Sequence, residues 1–107
     1  MKWIKLFDSQ AEFLERVVLE QIFNVSVNGI LISILRKQQG VFAFKSTCPH
    51  AGASLADGFI NNSNEIVCPL HGYRFSLHDG KEKSGHSCEL PLYATSLRED
   101  GFYIGLK

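Results

Sequence analysis

Two short stretches hold the residue types best able to do chemistry: Cys48-Pro49-His50-Ala51-Gly52 and, further along, Cys68-Pro69-Leu70-His71-Gly72. Each offers one thiolate and one imidazole. Two soft sulfur donors and two borderline nitrogen donors suit a zinc ion or an iron–sulfur cluster, and poorly suit calcium or magnesium, which take oxygen. The first expectation is therefore metal binding, with Cys48, His50, Cys68 and His71 as ligands.

Spacing helps to separate the two metals. A tetrahedral zinc usually takes its ligands in pairs two to four residues apart, as Cys68 and His71 are. Cys48 and His50 have only Pro49 between them. Closing both side chains onto one ion is awkward, whereas giving them to two neighbouring irons is easier. The order thiolate, imidazole, long gap, thiolate, imidazole is also what a [2Fe–2S] centre needs when two histidines replace two cysteines on one iron.

This paired motif, with the aromatics Tyr73 and Phe75 after it, resembles the Rieske iron–sulfur domain family, and the likeness extends more loosely from about Val41 to Gly105. The resemblance implies one [2Fe–2S] cluster, with Cys48 and Cys68 on an inner iron and His50 and His71 on a solvent-facing one. Two ferric ions, two sulfides and two thiolates sum to zero with neutral imidazoles, so the reduced cluster carries one negative charge. An all-cysteine site is two units more negative in both states, and adding an electron to it is harder. Rieske centres accordingly span about −150 to +300 mV, against about −400 mV for plant-type ferredoxins.

The high-potential members of the family add a disulfide between the cluster loops, at the positions of Ala53 and Leu70, and neither is cysteine here. They also place a serine and a tyrosine, whose hydroxyls bond cluster sulfur and a ligand cysteine, where this chain has Tyr73 and Phe75. The resemblance thus implies a potential near the low end, about −150 mV, as in soluble Rieske-type ferredoxins.

The elements that must position these residues read as short strands. Trp3 to Phe7 alternates as a first strand, and Ser9-Gln10-Ala11-Glu12 has the form of a capping box opening a turn of helix to about Glu15. From Val17 the period is two, and Asn28-Gly29 predicts a hairpin turn between strands ending at Val27 and starting at Ile30. Val41 to Phe44 is the strand that delivers Cys48. Ser54 to Ile60 and Glu65 to Val67 read as strands joined across Asn61 to Asn64, which brings His50 and Cys68 together. Tyr73 to Leu77, Leu92 to Leu97 and Phe102 to Leu106 complete the set, with Asp79-Gly80 and Asp100-Gly101 as turns. The expected fold is all-β, a small antiparallel sandwich or barrel, with residues 1–107 as one domain and a cluster-binding subdomain at about 46–88. In the loops, Pro49 and Pro69 fix φ while Gly52 and Gly72 allow a tight turn after each histidine.

Other candidates are weaker. His78 reads as a solvated loop residue and Cys88 as a loop or buried thiol. His86 is not a ligand candidate on spacing; it stands where the family usually has Gly-Pro in a third loop covering the cluster, and a hydrogen bond near the cluster or a partner contact is the lesser of its readings. Arg74 reads as an exposed strand arginine and Arg98-Glu99-Asp100 as a solvated turn.

Composition narrows the function. Lys plus Arg equals Asp plus Glu at 11 each, so no basic excess points to nucleic acid or an anionic membrane. No eighteen consecutive apolar residues are available for a membrane span, and the first residues lack a signal peptide's apolar run. Three cysteines argue against a disulfide framework and fit a reducing compartment, so the expected location is cytoplasmic. No flavin or nucleotide motif is present and both Cys–His pairs are taken up as ligands, which leaves an electron-transfer protein rather than an enzyme. By resemblance it is a one-electron carrier between a flavin-containing reductase and a terminal enzyme such as a ring-hydroxylating oxygenase. The alternatives are the small Rieske-type subunit of an NAD(P)H nitrite reductase and a zinc-stapled structural module.

Overall fold

The computed structural model describes residues 1–50 and 52–106; Ala51 of the first motif and Lys107 lie outside the described residues. The chain starts with β1 (Lys2–Phe7) and a seven-residue helix α1 (Gln10–Arg16), then runs through β2 (Ile22–Val27), β3 (Ile30–Lys37) and β4 (Gly40–Lys45). A single 3-10 turn at Leu55–Asp57 precedes β5 (Phe59–Ile60), β6 (Glu65–Val67) and β7 (Arg74–Ser76), and β8 (Leu92–Arg98) and β9 (Gly101–Leu106) close the fold. Six strands pair antiparallel in the order β1-β9-β8-β4-β3-β2, and β5-β6-β7 make a separate three-stranded sheet. The architecture is the all-β one expected. Among the described residues, no helix is long and apolar enough to cross a membrane.

Local chemistry accounts for the elements. Ser9 caps α1 by accepting the Glu12 N–H at 3.0 Å, and Asn28 and Gly29 take φ of +50° and +80°, the two left-handed residues a two-residue hairpin requires. The strand expected from Val17 begins later, at Ile22. Arg36 of β3 donates to the carbonyls of Leu14 at 3.2 Å and Val17 at 2.8 Å, which occupies the C-terminal carbonyls of α1 and keeps that turn helical through Arg16.

Two apolar clusters divide the interior. One fills the concave side of the six-stranded sheet, where Phe13 of α1 stacks on Phe102 with ring centroids 4.2 Å apart and Phe7 packs edge-on to Phe13. The second lies between that sheet and β5-β6-β7, and it holds Leu35, Phe44, Leu55, Ile66, Phe75, Leu77 and Leu90 together with Cys48 and Cys68. A fully buried Phe or Leu contributes about 1.5–3 kcal/mol relative to exposure, so this second cluster fastens the small sheet to the large one.

Ser54 to Ile60 departs from the strand expected there. Leu55 to Asp57 form the 3-10 turn, with the Leu55 side chain fully buried, and only Phe59 and Ile60 join the sheet. The Leu55 N–H donates to the Ser46 carbonyl at 2.7 Å, which pulls this segment out of line with β6 and back under the first loop.

Candidate metal centre

Each of the two motifs sits at the end of a strand and closes into a loop of the same design. The Cys48 N–H donates to the Ala53 carbonyl and the Cys68 N–H to the Tyr73 carbonyl, both at 2.8 Å, while the two cysteine carbonyls accept the N–H of Gly52 at 2.9 Å and of Gly72 at 3.1 Å. Five-residue spacing is thus converted into two matching hydrogen-bonded loops. Thr47 bridges to Ser54 beneath the first, and β6 and β7 flank the second.

The four sequence-predicted residues divide by depth. Cys48 and Cys68 are each 2% exposed within the second apolar cluster, whereas His50 and His71 lie exposed at the loop tips. The two imidazole rings stand 5.5 Å apart between centroids at 72°. Sulfur donors are inside and nitrogen donors outside.

Tyr73 and His86 complete the surroundings. Tyr73 stacks on His50 with centroids 4.1 Å apart, and its other face stacks on His86 at 3.8 Å. The structure thus sets His86 beside the site, through a ring contact. His78, as expected, is exposed and lies outside the site, edge-on to Phe42. Cys88 is half-buried against the second cluster and borders the shallow recess lined by His50, Tyr73 and His86.

Sequence reasoning missed Glu82. Its side chain is 0% exposed, and it accepts the N–H groups of Arg74 at 2.9 Å, Ser84 at 2.7 Å and His86 at 3.0 Å, besides the His86 Nδ1 at 3.0 Å. Burial raises the carboxyl's pKa, but the hydrogen bonds from His86, Arg74 and Ser84 outweigh it and hold the group at about 2. Nothing in Lys81-Glu82-Lys83 marks it as buried, since such a run reads as a solvated turn. Arg74 is more engaged than an exposed strand arginine: it bonds Glu65 at 3.4 Å, Ser84 Oγ at 3.3 Å and the Lys83 carbonyl at 3.1 Å, tying the third loop to the sheet.

The apolar residues near the site divide between core and surface. Leu55 is inside the core, while Leu70 is 59% and Phe59 61% exposed. Leu70 sits at the tip of the second loop, in the gap between Cys68 and His71, so the turn that buries the thiol turns its side chain outward.

Two buried thiols and two exposed imidazoles, on paired loops closed by the same hydrogen bonds, have the donor set of a mixed-ligand two-iron centre. The chain belongs to the Rieske [2Fe–2S] domain family, whose model matches residues 8–94. It therefore binds one Rieske-type [2Fe–2S] cluster, and the residues present fit that group.

Similar proteins agree on the domain and vary in what surrounds it. The ferredoxin component of the naphthalene 1,2-dioxygenase/salicylate 5-hydroxylase systems of Ralstonia sp. is 37% identical over 60 residues, 56% of this chain and 57% of that protein. Cholesterol 7-desaturase of Caenorhabditis elegans is 38% identical over 69 residues, 63% of this chain but 16% of that protein. The chain thus spans between about a sixth and somewhat over half of the length of these relatives. The ferredoxin of carbazole 1,9a-dioxygenase from Nocardioides aromaticivorans IC177 superposes over 100% of both chains with a TM-score of 0.82 and 22% identity, a likeness of fold.

Proposed function

We propose that this protein is a one-electron carrier, with Cys48 and Cys68 holding the inner iron of its cluster and His50 and His71 the outer one. The observation that carries the reading is the division by depth: both thiols lie 2% exposed in an apolar cluster while both imidazoles reach the surface. When bound, the cluster takes up and returns one electron. The chain's own residues set the terms. Buried thiolates with apolar neighbours keep water from the inner side, and exposed imidazoles bring the outer side within reach of a partner.

The donor is a flavin-containing reductase and the acceptor a terminal oxidoreductase such as a ring-hydroxylating oxygenase; the acceptor class is supported by the relative named as a ferredoxin component of dioxygenase and hydroxylase systems. Leu70 beside the two histidines provides a small apolar contact suited to a transient complex, which needs less than about 1,200 Å² of total buried surface. Residues 1–107 act as one domain in the cytoplasm, with residues 46–88 as the part that binds the cluster. The protein itself catalyses no substrate chemistry.

Iron and acid-labile sulfide assays, with low-temperature EPR of the dithionite-reduced protein, test the assignment. Two irons and two sulfides per chain are expected, with the lowered average g-value of mixed His/Cys ligation. The signal should be lost or changed in Cys48→Ser, Cys68→Ser, His50→Ala and His71→Ala. A colourless protein with one zinc, or a spectrum indifferent to the histidines, overturns it. Gel filtration of the native protein separates a free carrier from a small subunit held in a larger reductase.

A further inference from the structure

Tyr73 lies between two imidazoles from different loops, at 21° to His50 and 15° to His86, with both separations in the range of ring-on-ring contact. Such ring pairs attract beyond the area they bury. His71 is set apart from this column, since its centroid is 6.4 Å from that of Tyr73 at a tilt of 54°. Three rings in face contact therefore run from the first loop to His86, whose side chain is 43% exposed.

His86 is held by more than stacking. Its backbone N–H and its ring Nδ1 both meet Oε1 of Glu82 at 3.0 Å. An ionised carboxylate only accepts, so Nδ1 carries the hydrogen. Glu82 is itself fixed from beneath, with Oε2 taking the Arg74 N–H at 2.9 Å. A loop tip of Ser84-Gly85-His86-Ser87 has no reason of its own to stay in one conformation. Here one buried carboxylate gathers its N–H groups and sets the plane of its imidazole.

The geometry points to Tyr73 and His86 as residues that extend the His50 imidazole sideways to a second exposed edge, so that electrons enter and leave on the His86 side as well as at the His50 and His71 edges. Glu82 is the anchor of this route. The inference rests on the reading of the chain as an electron carrier. Electronic coupling falls steeply across empty gaps, and rings in face contact leave the smallest gaps available without a bond.

Stopped-flow oxidation of the reduced protein by ferric cytochrome c tests the route: one electron passes to the haem iron, and no proton or bond changes hands. With His86→Ala and Tyr73→Leu the rate should fall about tenfold, equivalent to ~1.4 kcal/mol in the barrier. His86→Phe keeps the ring and should run within about twofold of the parent, under ~0.5 kcal/mol. Midpoint potential and reduced EPR spectrum should stay unchanged in all three. Tyr73 closes the second loop through its carbonyl, so if its variant loses iron the two His86 variants decide. Unchanged rates with the cluster intact overturn the inference, as does a slower rate accompanied by a shifted midpoint, or His86→Phe as slow as His86→Ala. Absence of a cluster spectrum from the parent protein overturns the carrier reading instead.

Discussion

Gly52 and Gly72 occupy equivalent points in the two loops, with φ of +71° and +72°, and each donates its N–H to the carbonyl of the cysteine four residues before it. A Cβ built at either position meets nothing within 4 Å, so the requirement for glycine is one of backbone conformation alone. Placing an L-residue in the left-handed region costs about 1–2 kcal/mol. Gly52→Ala and Gly72→Ala are each expected to lower stability by that amount, read as an earlier thermal loss of the visible absorption. Gly58→Ala is the contrasting case, because its Cβ would collide with the Val67 carbonyl across the β5-β6 hairpin. Its loss should be clearly larger, and equal losses at all three positions would contradict the distinction.

Phe75 gives a second prediction, about potential. It is fully buried in the cluster that holds Cys48 and Cys68, and it has no hydroxyl to offer sulfur. The parent midpoint is expected near the low end of the family's range, about −150 mV. Phe75→Tyr supplies a donor at the position where high-potential members have one. A hydrogen bond to thiolate favours the more negative, reduced form, so the midpoint should rise. Redox potentiometry decides: a clearly positive parent value, or a fall on substitution, counts against this account.

The Asn28-Gly29 turn and the two loops that carry Cys48, His50, Cys68 and His71 were legible in the sequence because their chemistry is local. Asn28-Gly29 fixes its hairpin by backbone preference, whereas the last hairpin turns on Glu99-Asp100, one residue earlier than Asp100-Gly101, with Gly101 already paired to Arg98; each Cys–Pro–X motif carries its donors within a few residues. Ser54 to Ile60 was not, since alternation alone cannot say that the Leu55 N–H goes to Ser46 rather than to a neighbouring strand. Leu55 is buried only by the packing of the small sheet on the large one, which no local pattern shows. The charge run at Arg98 was also under-read: its guanidinium lies over Tyr103 at 4.2 Å and Trp3 at 5.0 Å, a contact set by the pairing of β9 with both β8 and β1. Glu82 was the least visible, because what makes it special is that four donors from residues 74 to 86 converge on it once the third loop folds back.

That convergence yields a prediction with a definite sign. Glu82 titrates at about 2 in the folded protein against 4.5 for an ordinary glutamate, so its folded pKa is depressed. A group of this kind adds stability that is fully present above its unfolded pKa and is lost as pH falls through the folded value, here between about pH 5 and pH 2. Allowing for solvent screening, the contribution at neutral pH is ~2 kcal/mol. Glu82→Gln keeps the shape but turns half of the acceptor into a donor, facing the N–H groups that now converge on the carboxylate. The variant should lose ~2 kcal/mol at pH 7 in denaturant unfolding, and its stability should decline less steeply than the parent's from pH 5 to pH 3. Parallel acid limbs for the two proteins would mean that Glu82 is not the carboxylate whose protonation loosens the third loop.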